Sequence, residues 1–264
     1  MLPQSLTTRS VHFAFLFGPP RIVGRQEAAA VYDKLCEQLR LDDFTFKYES
    51  AKEGELPHSQ GFRIQLERRE GRGVFGVTVD NPGIQQPVRL LVQYNWPPSL
   101  EHVYERCDLA VAAVFDGLQG QWQKVFAEVR LRAHCGDRAR NALGFIRDSM
   151  LKIPPAWLDG LGQPLHFASC RFASGTGGPA DEPLDNPLRE LSIEVLKEDR
   201  GALYFELVSQ WPQVPNPGLA PPGNEPPPTR QFTLKPSEYI RAEHEFLWRR
   251  LQELGDLTHR ENGK

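Results

Sequence analysis

The sequence predicts an α+β protein: two similar β-α-β(3-4)-α modules whose strands join one curved antiparallel sheet, with the helices on one face. Three observations carry that expectation. Runs of alternating polarity, the period of a half-buried strand, recur through both halves of the 264-residue chain. Each half also passes through the same order of strand, helix, several strands and helix. Finally, one phrase is nearly said twice. Val92-Gln-Tyr-Asn-Trp-Pro-Pro-Ser99 closes one strand-like run and opens a helix-like one. Val208-Ser-Gln-Trp-Pro212 closes another, and Pro236-Ser237 opens the last helix. The modules are then residues 1–120 and 121–264, with a Pro-rich insertion at 212–235 in the second.

The elements follow in order. Val11 to Phe17 is apolar on both parities, which predicts an interior strand ending at Gly18-Pro19-Pro20. Gln26 to Leu39 repeats apolar residues at helical spacing through Ala29, Tyr32, Leu35 or Cys36, and Leu39. Four alternating runs come next, around Phe44–Glu49, Phe62–Glu67, Phe75–Asp80 and Val88–Asn95. Their single polar face predicts an antiparallel sheet covered on one side. Ser99 is a candidate N-cap for a helix with a broad apolar stripe from Leu100 to Leu118.

The second half restarts with an alternating run from Val125 to His134, then a helix from about Asp137 to Leu151 stopped by Pro154-Pro155. Strands are expected at Leu165–Ala173, Leu188–Leu196 and Ala202–Gln210, and Arg230–Leu234 is a possible fourth. Pairing the two Trp-Pro sites makes Ala202–Gln210 the counterpart of Val88–Asn95 and leaves Phe44–Glu49 as an extra strand of the first half. Ser237 then caps a helix carrying Ile240, Leu247, Leu251 and Leu254 on one stripe. The Pro-rich run from Pro212 to Thr229 suits neither helix nor sheet, because proline lacks the N–H that both need.

Composition narrows the class. Hydrophobic residues at 40% and charged residues at 25% suit an ordinary globular protein, and a formal net charge of −3 gives no general attraction to phosphate backbones or anionic lipid. Cys36, Cys107, Cys135 and Cys170 are isolated, without a CxxC, and read as reduced thiols. The first residues lack a signal peptide's pattern, and Val11–Phe17 is far shorter than the roughly 20 residues that span a bilayer. The expectation is a cytoplasmic protein with no membrane contact.

Two resemblances extend this. The duplicated order of strand, helix, four strands and helix resembles the TATA-box-binding-protein-like fold. Pro98–Leu118 running into Val125–Ala133, and Leu203–Ser209 with Glu238-Tyr-Ile-Arg-Ala-Glu-His244-Glu-Phe246, resemble an uncharacterised, sporadically distributed bacterial family of about this length. The first implies an open sheet face; the second implies no biochemistry.

Few residues suggest chemistry. His134-Cys135 with Asp137, and His166 with Cys170, match no usual metal spacing. No G-x-S-x-G occurs, the loop at Ser174–Pro187 has no GK[ST], and His244 falls on or beside an apolar stripe. No catalytic, metal or cofactor site is expected. Glu190, Glu194 and Glu206 lie on polar parities, as a carboxylate pair for acid–base work or as solvated charges. Arg63, Arg89, Arg130, Arg132 and Arg171 share the polar parities with Tyr204, and are the candidate open-face binding residues. Glu67 and Glu128 share the same parities. That mixture, with one aromatic to stack on a base, disfavours nucleic acid. The reading is a non-catalytic binding or assembly protein whose partner is another protein, with a homo-oligomer open. The alternatives are an enzyme or small-ligand binder with a site between the modules, and then a nucleic-acid-binding module.

Overall fold

A computed structural model describes residues 6–18, 23–40, 45–50, 62–81, 87–118, 123–136, 142–152, 168–174, 187–196, 201–211 and 235–261. The strands are β1 (Thr7–Gly18), β2 (Thr45–Ser50), β3 (Phe62–Glu70), β4 (Gly73–Asn81), β5 (Val88–Asn95), β6 (Gln123–Gly136), β7 (Ser169–Ser174), β8 (Leu188–Val195) and β9 (Ala202–Trp211). The helices are α1 (Arg25–Leu39), α2 (Leu100–Gly117), α3 (Ala142–Phe145), which continues as a π-helical turn over Ile146–Leu151, and α4 (Pro236–Glu261). All nine strands form one curved sheet in the order β2-β3-β4-β5-β1-β6-β9-β8-β7, every described pairing antiparallel.

The order reads outward alike from its centre. β1 and β6, the strands that open the first and second halves of the chain, lie in the middle and pair directly. Beside β1 comes β5, the last described strand before α2; beside β6 comes β9, the last described strand before α4. Among the described residues β2 has no counterpart at the other end. The Arg230–Leu234 run and the Pro-rich insertion lie outside the described residues.

Alternation decides which side of the sheet is filled. Val11, Phe13, Phe15 and Phe17 point to the helix side with Val88, Leu90, Val92 and Tyr94 of β5 and Val129 and Leu131 of β6, and all are buried. Burying one such side chain contributes about 2–3 kcal/mol, so this central block dominates stability. Phe115 of α2 meets the Phe15 and Phe17 rings, and Tyr239 of α4 meets Phe13 and Trp211. The short α3 packs with Cys170 and Val195, which share the helix-side parity. α1 reaches the core through α2: a Cβ added at Gly117 would lie 2.6 Å from Val31 Cα, so glycine sets how closely the two helices approach.

Caps and buried charges fasten the helices. Ser99 Oγ accepts the His102 backbone N–H, the expected N-cap of α2. At α4 the expectation shifts by two residues. Ser237 lies inside the helix, and Asp108 of α2 accepts its N–H at 2.8 Å and its hydroxyl at 2.5 Å. Ile240, Leu247 and Leu251 are buried as expected, but Glu243 on the same stripe is also buried. His244 is half-buried beside it, and burial lowers its pKa below the ordinary value. The four cysteines are free thiols.

Candidate functional site

The face opposite the helices is the candidate site. Among the described residues no helix lies on it. Strand register arranges its side chains in rows across the sheet, because residues paired across antiparallel strands point the same way. One row runs Asn95, Ser10, Arg132, Glu206, Ser192, Arg171. The next runs Gln93, His12, Arg130, Val208, Glu190, Ala173. A third runs Leu91, Ala14, Glu128, Gln210, Leu188. Arg89, Leu16 and Phe126 begin a fourth.

Every arginine expected on this face is there, in the company of carboxylates. Arg89 makes a forked pair with Asp80, with Nε at 2.9 Å and Nη2 at 2.5 Å. Arg130 Nη2 lies 3.3 Å from Glu128, and Arg132 Nε donates to Glu206 at 2.8 Å. Arg171 Nη2 lies 2.5 Å from Glu190. Arg63 sits opposite Asp80 in the β3–β4 ladder. Tyr204 stands opposite His134 on one side and Glu194 on the other. Burial raises the Tyr204 phenol's pKa despite the nearby Arg132 charge, so it is an un-ionised donor. Arg89, Arg132 and Arg171 are thus paired across strands, and Arg130 with Glu128 on its own strand. Gln210 Nε2 donates to Glu128 at 2.7 Å and extends the same network.

Beside the charged network lies a half-buried apolar strip of Leu91, Ala14, Leu16, Phe126 and Val208. At the other end stands Trp96, 47% exposed although its neighbours on β5 are covered. Its backbone has φ of 54°, a left-handed conformation that carries about 1 kcal/mol of strain for a bulky residue. Two contacts hold it there. Trp96 N–H donates to the Arg9 carbonyl at 2.6 Å, and a Cβ on Gly73 would stand 2.4 Å from the Trp96 carbonyl oxygen. The Arg9 guanidinium lies 5.0 Å over the indole, and Arg9 Nε donates to His134 Nδ1 at 3.2 Å. The result is a rigid, exposed aromatic group at the end of β5.

Sequence reasoning missed Ser10 and His12. Ser10 is 4% exposed, and its Oγ makes no hydrogen bond. His12 Nε2 and Arg130 Nε are likewise buried without a hydrogen-bond partner. The signal was present: His12 is the one polar residue inside Val11–Phe17, but the run's overall hydrophobicity concealed that it sits on the polar parity.

The helix side also carries polar clusters. Glu70 of β3 accepts from Tyr94 Oη and lies 3.0 Å from His102 Nε2 and 3.3 Å from Arg106 Nη2. Burial favours its neutral form, but those hydrogen bonds and the Arg106 charge outweigh it and hold the carboxyl below its ordinary range. Burial and the Glu70 bond push the Tyr94 phenol well up. Arg106 also ties α2 to the Leu39 carbonyl at 2.8 Å. Arg189 Nε and Nη2 fork onto Glu243 at 2.8 and 2.7 Å, and Ser209 Oγ donates to it at 2.5 Å. These groups clamp helices to the sheet.

No group of three or more metal-ligating side chains occurs among the described residues, and Cys135 and Cys170 lie on the helix side. No described helix is long and apolar enough to cross a membrane. No protein-family model and no curated protein matches the chain. Among solved structures, the chain is similar to a Trypanosoma brucei AdoMetDC-delta26 monomer at 11% identity, over 76% of this chain and 64% of that one, with a TM-score of 0.29. The chain therefore spans less than two thirds of that neighbour, and the likeness is too low to carry an activity or a residue role.

Proposed function

We propose that this is a non-catalytic binding or assembly protein that meets another protein through the helix-free face of its sheet. The observation that carries the reading is the composition of that face. An apolar strip and a block of arginine–carboxylate pairs share one face of the sheet, with the exposed Trp96 against Arg9 and His134 at its end. Tryptophan, tyrosine and arginine supply most of the binding energy at protein interfaces, and fixed polar pairs set the register of a partner. A polyanion gains little here, since the arginines of the charged block already hold Glu206, Glu128 and Glu190.

A photo-crosslinking residue tests this when placed at Val208 or Leu91 on the open face, and at Glu253 on the helix side as a control. The expected outcome is an adduct with a second protein from both open-face positions and not from Glu253, abolished by Arg132→Glu. An adduct with a second copy of the chain would identify the partner as itself. Equal labelling at all three positions, or none at any, would overturn the reading.

A further inference from the structure

We propose that Ser10, His12 and Arg130 form a site on the open face for one uncharged amide group, either a carboxamide or a peptide unit. The proposal rests on the reading that the open face is where binding occurs, and it names the chemistry engaged there.

Ser10 and His12 are successive open-face positions of β1, roughly 7 Å apart along the strand. Arg130 faces His12 across the β1–β6 ladder, and Arg132 faces Ser10. Three polar atoms in this small patch, Ser10 Oγ, His12 Nε2 and Arg130 Nε, are buried with no hydrogen-bond partner. One such group left unmet costs about 1–3 kcal/mol, so three neighbours on two adjacent central strands ask for a common explanation.

The unmet atoms define what fits. Arg130 Nε is a donor only. The Asn95 side chain neighbours the His12 ring and favours its protonated form, and donation to Asn95 from Nδ1 would leave Nε2, which has no partner, as the acceptor. Burial and the Arg132 charge keep the ring below its ordinary pKa, so neutral His12 presents a lone pair at Nε2. The Ser10 hydroxyl serves in either sense. A carbonyl oxygen for Arg130 and Ser10, with an N–H for His12, is the pattern of an amide.

Charge argues for the same class. Arg130 Nη2 holds Glu128 at 3.3 Å, and its Nε stands 3.9 Å from Glu206, too far for a hydrogen bond, while Glu206 also takes Arg132. An anion would have to compete with carboxylates already in place, whereas a neutral amide displaces none. The Arg130 and Arg132 side chains that border the patch are each 36% exposed, so a ligand would reach it by displacing the apolar stem of Arg132. Trp96, next to Asn95, offers an apolar surface to whatever adjoins the amide.

The test is a heteronuclear NMR titration of the full chain with N-methylacetamide, and in parallel with sodium acetate, which replaces the amide N–H by a charge. The expected result is saturable shifts confined to Ser10, His12, Arg130 and the Trp96 indole with the amide, and none with acetate. Ser10→Ala and His12→Phe should each weaken the amide by roughly tenfold, the loss of one hydrogen-bond partner. Unchanged helix-side resonances, including Tyr94 and Ser209, confirm that these variants fold. Stronger binding of acetate, or non-saturating shifts spread over the surface, would overturn the proposal. Crosslinking from Val208 with no amide site would reject this inference and leave the binding face. A saturable amide site without any crosslinked protein would support the inference and reject the protein partner.

Discussion

Two buried serines separate the two faces of the sheet. Ser209 on β9 is fully buried on the helix side, and its hydroxyl completes the Glu243–Arg189 clamp under α4. Ser10 on β1 is almost as buried on the opposite face, and its hydroxyl makes no hydrogen bond. The residue type is the same and the burial similar; the partners differ. On the helix side polar groups hold the fold together. On the other face the charged groups pair with one another, and under the proposed function the Ser10 hydroxyl is left for a contact outside the fold, in line with the general exchange of stability for function at binding surfaces.

The largest expected effect comes from the helix side. Glu243→Ala strands Arg189 against the Phe246 ring, 4.2 Å away, and leaves Ser209 unpaired. Breaking a buried pair by removing one partner costs about 3–5 kcal/mol, measurable as a lower urea midpoint. A midpoint within error of the parent would show that the clamp does not hold α4. Gly73→Ala comes next. Its Cβ would press on the Trp96 carbonyl, and overpacking of that kind costs about 2–3 kcal/mol. The Trp96 indole resonance should move with it; an unmoved indole would mean that Gly73 does not set the tryptophan. Ser209→Ala should follow at about 1.5 kcal/mol, the net loss of a hydrogen bond to a charged group.

Acidification separates the histidines from Glu70 by pH. His12 has a folded pKa below its ordinary 6.5, so the unfolded chain takes up the proton first. Stability therefore falls as pH drops below 6.5 and levels off once the folded ring is protonated too. His244 shifts in the same direction and adds to this step. Glu70 behaves oppositely in range: its folded pKa lies below the ordinary 4.5, so its contribution is complete above that pH and is lost on acidifying through the folded value. Urea midpoints against pH should show two declines. His12→Gln should shrink the upper one and leave the lower, whereas Tyr94→Phe should shrink the lower one. An upper decline that His12→Gln leaves intact would assign that step elsewhere.

Much of this architecture was legible in the residues. Period-2 alternation located the strands to within a few residues and put Arg63, Arg89, Arg130, Arg132, Arg171 and Tyr204 on one face, because side-chain direction follows from strand parity alone. The Trp96 and Trp211 phrases marked the ends of β5 and β9, strands that flank the central pair. Pairing was not legible. Which carboxylate meets which arginine depends on register between strands far apart in sequence, as with Arg132 and Glu206. The burial of Glu243 was hidden for the same reason: its partners Arg189 and Ser209 come from two other strands. A lone histidine in the apolar β1 run was visible but uninterpreted, since only the sheet's central β1–β6 pairing sets Arg130 opposite it.

The smallest expected effect is the most direct test of the contrast between the faces. Urea unfolding of Ser10→Ala, run beside Ser209→Ala, compares the removal of two buried hydroxyls. If the Ser10 hydroxyl is held for a contact outside the fold, its removal relieves an unmet buried group, and the midpoint should be unchanged or higher. A loss comparable to that of Ser209→Ala would mean that Ser10 stabilises the fold like its counterpart, and would contradict the assignment of the open face to binding.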